Sequence, residues 1–372
     1  MRIDLLITEL DVGGAESCLA AVAEHLSRQG HAVRFIAIGP PPPADRDRLL
    51  RRVRTGGIDV RFLVEEFRGS ASATRRRQAL RLPRLLRSLI DADRPDVALS
   101  FLFHANALAA CSYPKRGVPL AMGVRLADPS FLRAAVSRLV HRRASKIICV
   151  SEAVADHAIA REAAPPDKTL VIPNGIDVEG WRRAMQATTA SLSPNDRPVA
   201  LYVGRYAQQK RVDWILRLID DPRFVATGFR VAMVGDGPLA GQVERAAASH
   251  PDRLIDLGRR DDVAAQMSFA EFLLLPSRYE GMPNAVLEAM ASGLPVAATD
   301  AEGVRQLLGD QADSQCVPLD DEEAWRKLVF RLAENAPLRR ELGEENLARC
   351  RAHFALGDRL AEYAEVLTRL RS

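Results

Sequence analysis

Glu280 and Glu288 stand with seven residues between them in the run EGMPNAVLE, where a strand-like stretch (FLLLPS, 272–277) passes through a short loop into a helical pattern. Gly281 allows a ligand to approach the backbone closely, and Pro283 suits a first helical turn. The spacing predicts a helix starting near Pro283, with unpaired N–H groups from about Asn284 to Val286. Such a helix start is a natural seat for a phosphate. Glu280 in the loop and Glu288 one turn into the helix then flank that phosphate, and each carboxylate can accept two hydroxyl hydrogen bonds. A phosphate with hydroxyls on either side describes a nucleotide-activated sugar. The plainer reading is an exposed loop carboxylate and a solvated helix position.

A second constellation, VGRYAQQK, follows another strand-like run (PVALYVG, 198–204) and places Gly204, Arg205 and Lys210 in one loop. Two cations there would stabilise negative charge growing on a departing diphosphate, an electrostatic contribution that is often the largest in transfer chemistry. Standing alone, they are equally well read as solvated surface charges. His104, in the loop-like FHAN (103–106), and Arg125, at the end of the strand-like PLAMGV, are further candidates for a cleft. DAD at 91–93 looks like a metal-binding Asp-x-Asp only superficially, because it ends a helical pattern just before Pro95. GDGPLAG (235–241) is one residue too long between its second and last glycines for a dinucleotide fingerprint.

The elements that must hold these residues alternate strand-like and helix-like throughout, the pattern of wound α/β domains with parallel sheets. The clearest strand-like runs are 3–8, 32–38, 96–101, 146–151, 170–173, 198–204, 230–235, 253–258, 272–277 and 295–300. Amphipathic stretches such as 15–30 lie between them. A chain of 372 residues is long for one core and comfortable for two. The turn-rich PNGID (173–177) and the polar stretch up to Pro198 mark the break. The expected division is a first Rossmann-like domain over 1–178, a second over 179–355, and a terminal helix over 356–372 that could pack on either. Ligands of open α/β sheets bind at the carboxyl ends of the strands, where the conspicuous loops fall. Two such domains are therefore expected to face each other across a cleft.

Composition narrows the function classes. Apolar residues make up 47% and charged residues 27%, as in a soluble globular protein. No run approaches the ~20 apolar residues of a membrane-spanning helix, and the N-terminus reads as a first strand, not a secretion signal. Five scattered cysteines (Cys18, Cys111, Cys149, Cys316, Cys350) form no CxxC pair, which argues against zinc and against a disulfide framework, and for a reducing compartment. A net charge of +4 is too modest to imply nucleic acid. Only five of the 52 basic residues are lysine, an imbalance read as coding bias. Two stretches are basic without acids. Residues 67–90 carry seven arginines, with Leu82, Leu85, Leu86, Leu89 and Ile90 on one helical face. Residues 129–150 set Leu132, Ala135, Val136, Leu139 and Val140 opposite Arg133, Arg138, Arg142 and Arg143. Either could lie on an anionic membrane surface or be an ordinary core-facing helix with a solvated arginine face.

Taken together and in order, GGAE (13–16), SFLFHAN (100–106), VSE (150–152), IPNGID, VGRYAQQKR, VGDGP (234–238), LG (257–258), EGMPNAVLEAMASGLPV and PVAATD resemble the retaining glycosyltransferases of family 4. The resemblance covers most of the chain and implies the GT-B fold. It implies that Arg205 and Lys210, with Gly204, bind the diphosphate of a UDP- or GDP-sugar. Glu280 would contact the transferred sugar, with Gly281, Met282, Pro283 and Asn284 close by, and Glu288 would hold the ribose hydroxyls. The backbone at Gly14 would approach the phosphate, and His104 would lie beside the reacting sugar and acceptor. No metal and no cofactor are implied. The resemblance further implies retention at the anomeric carbon by same-face substitution. It points to a glycan acceptor on a lipid carrier, in bacterial surface polysaccharide or glycolipid synthesis, and so to a cytoplasmic protein peripheral to the inner face of the membrane. Rival readings are a GT-B isomerase, a phosphorylase (which needs a cofactor lysine, and this chain has few lysines) and a non-catalytic partner subunit.

Overall fold

The computed structural model describes residues 1–11, 13–64, 72–187 and 197–371, without the side chains of 72–80. The chain divides into two compact units, Met1–Asn174 with Asp358–Ser372, and Gly175–Gly357. The chain therefore leaves the first unit directly after Asn174 and returns to it within the terminal helix, Leu356–Arg371.

The first unit holds a seven-stranded sheet of β1 (Arg2–Ile7), β2 (Ala32–Ala37), β3 (Asp59–Phe62), β4 (Val97–Phe101), β5 (Leu120–Val124), β6 (Lys146–Cys149) and β7 (Thr169–Val171). Its order is β3-β2-β1-β4-β5-β6-β7. The second holds six strands, β8 (Val199–Val203), β9 (Arg230–Val234), β10 (Leu254–Asp256), β11 (Ala270–Leu275), β12 (Val296–Thr299) and β13 (Cys316–Val317). Their order is β10-β9-β8-β11-β12-β13. Every recorded strand pairing is parallel. Parallel strands flanked by helices are buried on both faces, which is why β4, β5 and most of β1 and β11 read as largely apolar runs.

The strand orders decide where ligands can sit. In each sheet the chain starts in the middle, winds to one edge, then returns to the other side of the first strand. The connections after β1 and β4 diverge, as do those after β8 and β11, and each divergence opens a crevice at the carboxyl ends of two adjacent strands. The loops carrying Arg205, Lys210 and Glu280 follow β8 and β11. Gly14 and His104 follow β1 and β4. Sequence patterning did not mark β3, whose charged DVRF alternates, or the two-residue β13.

Helix Phe131–His141 departs from the core-facing reading. It buries Ala134, Ser137, Val140 and His141, and turns its large apolar residues outward. Phe131, Leu132 and Leu139 are 79%, 77% and 65% exposed. Arg133 and Arg138 are exposed on the same helix and Arg142 just beyond it. Of the other basic stretch, 67–71 lies outside the described residues. Its helix turns Leu86 and Ile90 inward, and leaves Leu85 exposed.

Candidate active site

In the second unit, the loops after β8 and β11 are joined by backbone and side-chain bonds. The Arg278 N–H donates to Gln209 O at 2.8 Å, and Gln209 Nε2 donates to Tyr279 O at 2.7 Å. This joint brings Lys210 Nζ onto Glu280 Oε1 in an ion pair. Glu280 is only 6% exposed, so it is not a surface loop carboxylate. A charge buried to this degree needs a partner, and Lys210 supplies it. Glu280 in turn helps raise the Tyr202 phenol above its ordinary range, after burial itself.

Lys210 is held by its neighbour. Arg211 adopts a left-handed backbone (φ 48°) that a side chain seldom takes. Its guanidinium is buried, pairs with Leu319 O and Asp320, and lies 4.4 Å from the centre of the Trp214 ring. Arg205 sits at the end of β8, exposed, and makes no ion pair among the described residues. Its carbonyl accepts from the Tyr202 hydroxyl at 2.9 Å. The loop after β9 presses against it, with Gly204 N–H donating to Val234 O at 3.0 Å. A Cβ on Gly235 would lie 1.9 Å from Gly204 O, so glycine is required there.

Helix Asn284–Ser292 follows, capped by Pro283. Gly281, Met282 and Pro283 are buried, and Asn284 is half-buried. The expected row of open N–H groups is shorter than the spacing suggests. Val286 N–H donates to Pro283 O at 3.1 Å, because the first turn tightens toward 3₁₀ geometry. Glu288 is half-buried, and its carboxyl has no partner among the described residues. Burial alone pushes that carboxyl up to about 8. A half-buried carboxyl raised in this way is not a solvated helix position.

In the first unit, His104 is not in a loop. Leu102 (φ 75°) turns the chain straight from β4 into helix Phe103–Ser112, and His104 lies exposed in its first turn. Asn106 fixes that turn, accepting from Ser100 Oγ at 2.7 Å and donating to Gly123 O at 3.0 Å. Gly14 opens helix Gly14–Arg28, beside β1. His104 lines a cavity of about 280 Å³ with Glu9, Glu16, Arg125 and, at its far wall, His141 and Glu162. Burial, and then the charges of Asp11 and Glu9, raise the Glu16 carboxyl. Burial pushes Glu162 up to about 7 and His141 down to about 4. Sequence reasoning missed this far wall, which carries no motif. Arg125 bonds to Tyr363 Oη at 3.1 Å and to Asn174 Oδ1, and stacks on Phe101. It ties down both ends of the first unit's chain. The Asp-x-Asp look-alike is spent on arginines, Asp91 on Arg116 at 2.6 Å and Asp93 on Arg2.

Two wound α/β units of this kind make the GT-B architecture of glycosyltransferases. A family model described as "Glycosyltransferase Family 4" matches residues 12–179, and one described as "Glycosyl transferases group 1" matches residues 197–335. The 2-deoxystreptamine glucosyltransferase of Streptomyces kanamyceticus is 30% identical over 262 residues, 67% of this chain and 67% of the relative. The GDP-mannose-dependent alpha-mannosyltransferase of Mycobacterium tuberculosis is 28% identical over 331 residues, 84% of this chain and 82% of the relative. Alignments with other curated relatives span as little as 35% of their length. The crystal structure of Anabaena HepE in complex with UDP and glucose superposes with a TM-score of 0.80 at 18% identity, covering 99% of this chain and 100% of that one. The chain belongs to the group 1, family 4 glycosyltransferases.

Proposed function

We propose that this enzyme moves a sugar from a UDP- or GDP-sugar to a hydroxyl of a lipid-linked glycan, with retention at the anomeric carbon. The observation that carries the donor half is the crevice between β8 and β11. It carries the Lys210–Glu280 pair, with the exposed Arg205 on the β8 loop and the unpartnered Glu288 on the helix that follows β11. Arg205 and Lys210 stabilise the departing diphosphate, Glu280 binds sugar hydroxyls and Glu288 the ribose. The mannosyltransferase relative depends on GDP-mannose and the Anabaena neighbour was crystallised with UDP, so both bases stay within the reading.

Glu280 is engaged by Lys210, which makes it a poor nucleophile, and this supports same-face substitution. The bond from the anomeric carbon to the diphosphate breaks as the acceptor oxygen bonds to that carbon on the same face. The acceptor proton passes to the leaving phosphate oxygen. His104 stands in the first unit's cavity, where an acceptor can enter. The two cations supply the charge stabilisation, so neither metal nor cofactor is invoked.

Membrane association rests on the outward face of helix Phe131–His141, where large apolar side chains lie among exposed arginines. Apolar insertion combined with attraction to anionic headgroups is how interfacial helices bind. No helix among the described residues is long and apolar enough to cross a membrane. The stereochemistry is tested by proton NMR of the sugar first released during slow donor hydrolysis. Retention gives the donor's own anomer; the opposite anomer overturns the same-face mechanism.

A further inference from the structure

The loop after β12 leaves the sheet beside the Glu280 loop and holds it at three points. Thr299 Oγ1 donates to Ser277 O at 2.5 Å. Gly303 (φ 77°) packs so closely that a Cβ there would lie 2.4 Å from Gly281 O and 2.9 Å from Met282 Cα. Between them, Glu302 Oε2 accepts the backbone N–H of Glu280 at 2.9 Å. A carboxylate accepting a peptide N–H makes a charge-assisted bond, stronger than a neutral one.

Glu302 reaches inward although a cation is near in sequence. Arg305 is committed to Asp300 at 2.7 Å and Asp313 at 2.8 Å. Glu280 is consequently gripped twice, its carboxylate by Lys210 and its peptide N–H by Glu302. Fixing the Glu280 peptide fixes the Cα–Cβ direction from which its side chain reaches, and the Lys210 pair fixes the far end. Small misplacements of a substrate-positioning group are costly to a transfer reaction.

We infer that Glu302 is a positioning residue for the sugar half of the donor. It holds the Glu280 peptide so that the Glu280 carboxylate faces the transferred sugar, and it leaves the nucleotide half untouched. This rests on the donor reading above. Replacing Glu302 by glutamine keeps an oxygen that can accept the N–H, whereas alanine keeps none.

The test compares wild type, Glu302→Gln and Glu302→Ala. It measures binding of UDP and GDP alone, then binding and turnover of a panel of UDP- and GDP-hexoses. In Glu302→Ala, kcat/KM for the accepted donor is expected to fall about tenfold or more, with nucleotide affinity within about twofold of wild type. Glu302→Gln is expected to recover most of the loss. The inference is overturned if Glu302→Ala turns over the donor like wild type. It is also overturned if nucleotide and nucleotide-sugar binding weaken equally and glutamine fails to rescue, since the residue would then serve only the fold. A wild type that binds no nucleotide or nucleotide sugar would remove the donor reading and this inference with it.

Discussion

Lys210 and Glu280 neutralise one another in the free protein, so a bound diphosphate must share Lys210 with its carboxylate partner. Removing Lys210 leaves Glu280 buried and unpaired, and removing Glu280 leaves Lys210 half-buried and unpaired. Lys210→Ala is expected to lower kcat by about 10²–10³, measured as nucleotide released from the accepted donor. Glu288 titrates in a useful range. Its carboxyl, ordinarily near 4.5, stands near 8 in the folded protein, so the fold holds a proton that the unfolded chain releases. That contribution is full below the ordinary value and is lost as pH rises toward 8 and beyond. Glu288→Gln should therefore gain on wild type in thermal unfolding between pH 5 and about 8, because the amide carries no such penalty. Ribose hydroxyls donate best to the ionised carboxylate, so wild-type nucleotide affinity should strengthen from about pH 7 to 9 while the glutamine variant stays flat. Equal pH profiles in titration calorimetry would dissociate Glu288 from the ribose.

At the scale of elements, the residue types and spacing made the two loops after β8 and β11 legible as candidates. Their apposition was not, because it depends on a strand order that brings β11 against β8 across the sequence of β9 and β10. The helix start near Pro283 followed from local chemistry, yet the tightening of its first turn onto Pro283 O did not. Glu302 carried one available signal, an acid just past a strand end beside the crevice. Arg211 carried none, since nothing in its type announces a left-handed backbone. The arginine-rich helix stayed open between two readings for a physical reason. Periodicity reports that one face is apolar, but not whether that face meets the core or a membrane, and here Ala134, Ser137 and Val140 face in instead. Replacing Phe131 and Leu139 together by glutamate is expected to abolish sedimentation with anionic vesicles while leaving the melting temperature near wild type. Unchanged sedimentation would remove the membrane face. The terminal helix is fastened by Tyr363 to the half-buried Arg125. Tyr363→Phe should cost about 1–3 kcal/mol in urea unfolding, because a charged donor loses a partner.

At the scale of the whole molecule, two parallel sheets each present a crevice where their winding reverses, and the candidate residues collect there. The regular alternation of strands and helices made that architecture readable before any coordinates. The cavity's far wall of His141 and Glu162 lay beyond such reading, because it forms only when two helix faces meet. The Glu280–Glu288 segment takes its meaning from this frame, as the β11 side of a crevice whose β8 side is Arg205 and Lys210. The most direct measurement is release of UDP or GDP from a panel of nucleotide sugars, comparing wild type with Lys210→Ala. The account predicts that wild type protects or slowly hydrolyses members of the panel carrying one base, and that the variant does so about 10²-fold less. A wild type indifferent to every nucleotide sugar, or a variant equal to wild type, would contradict it.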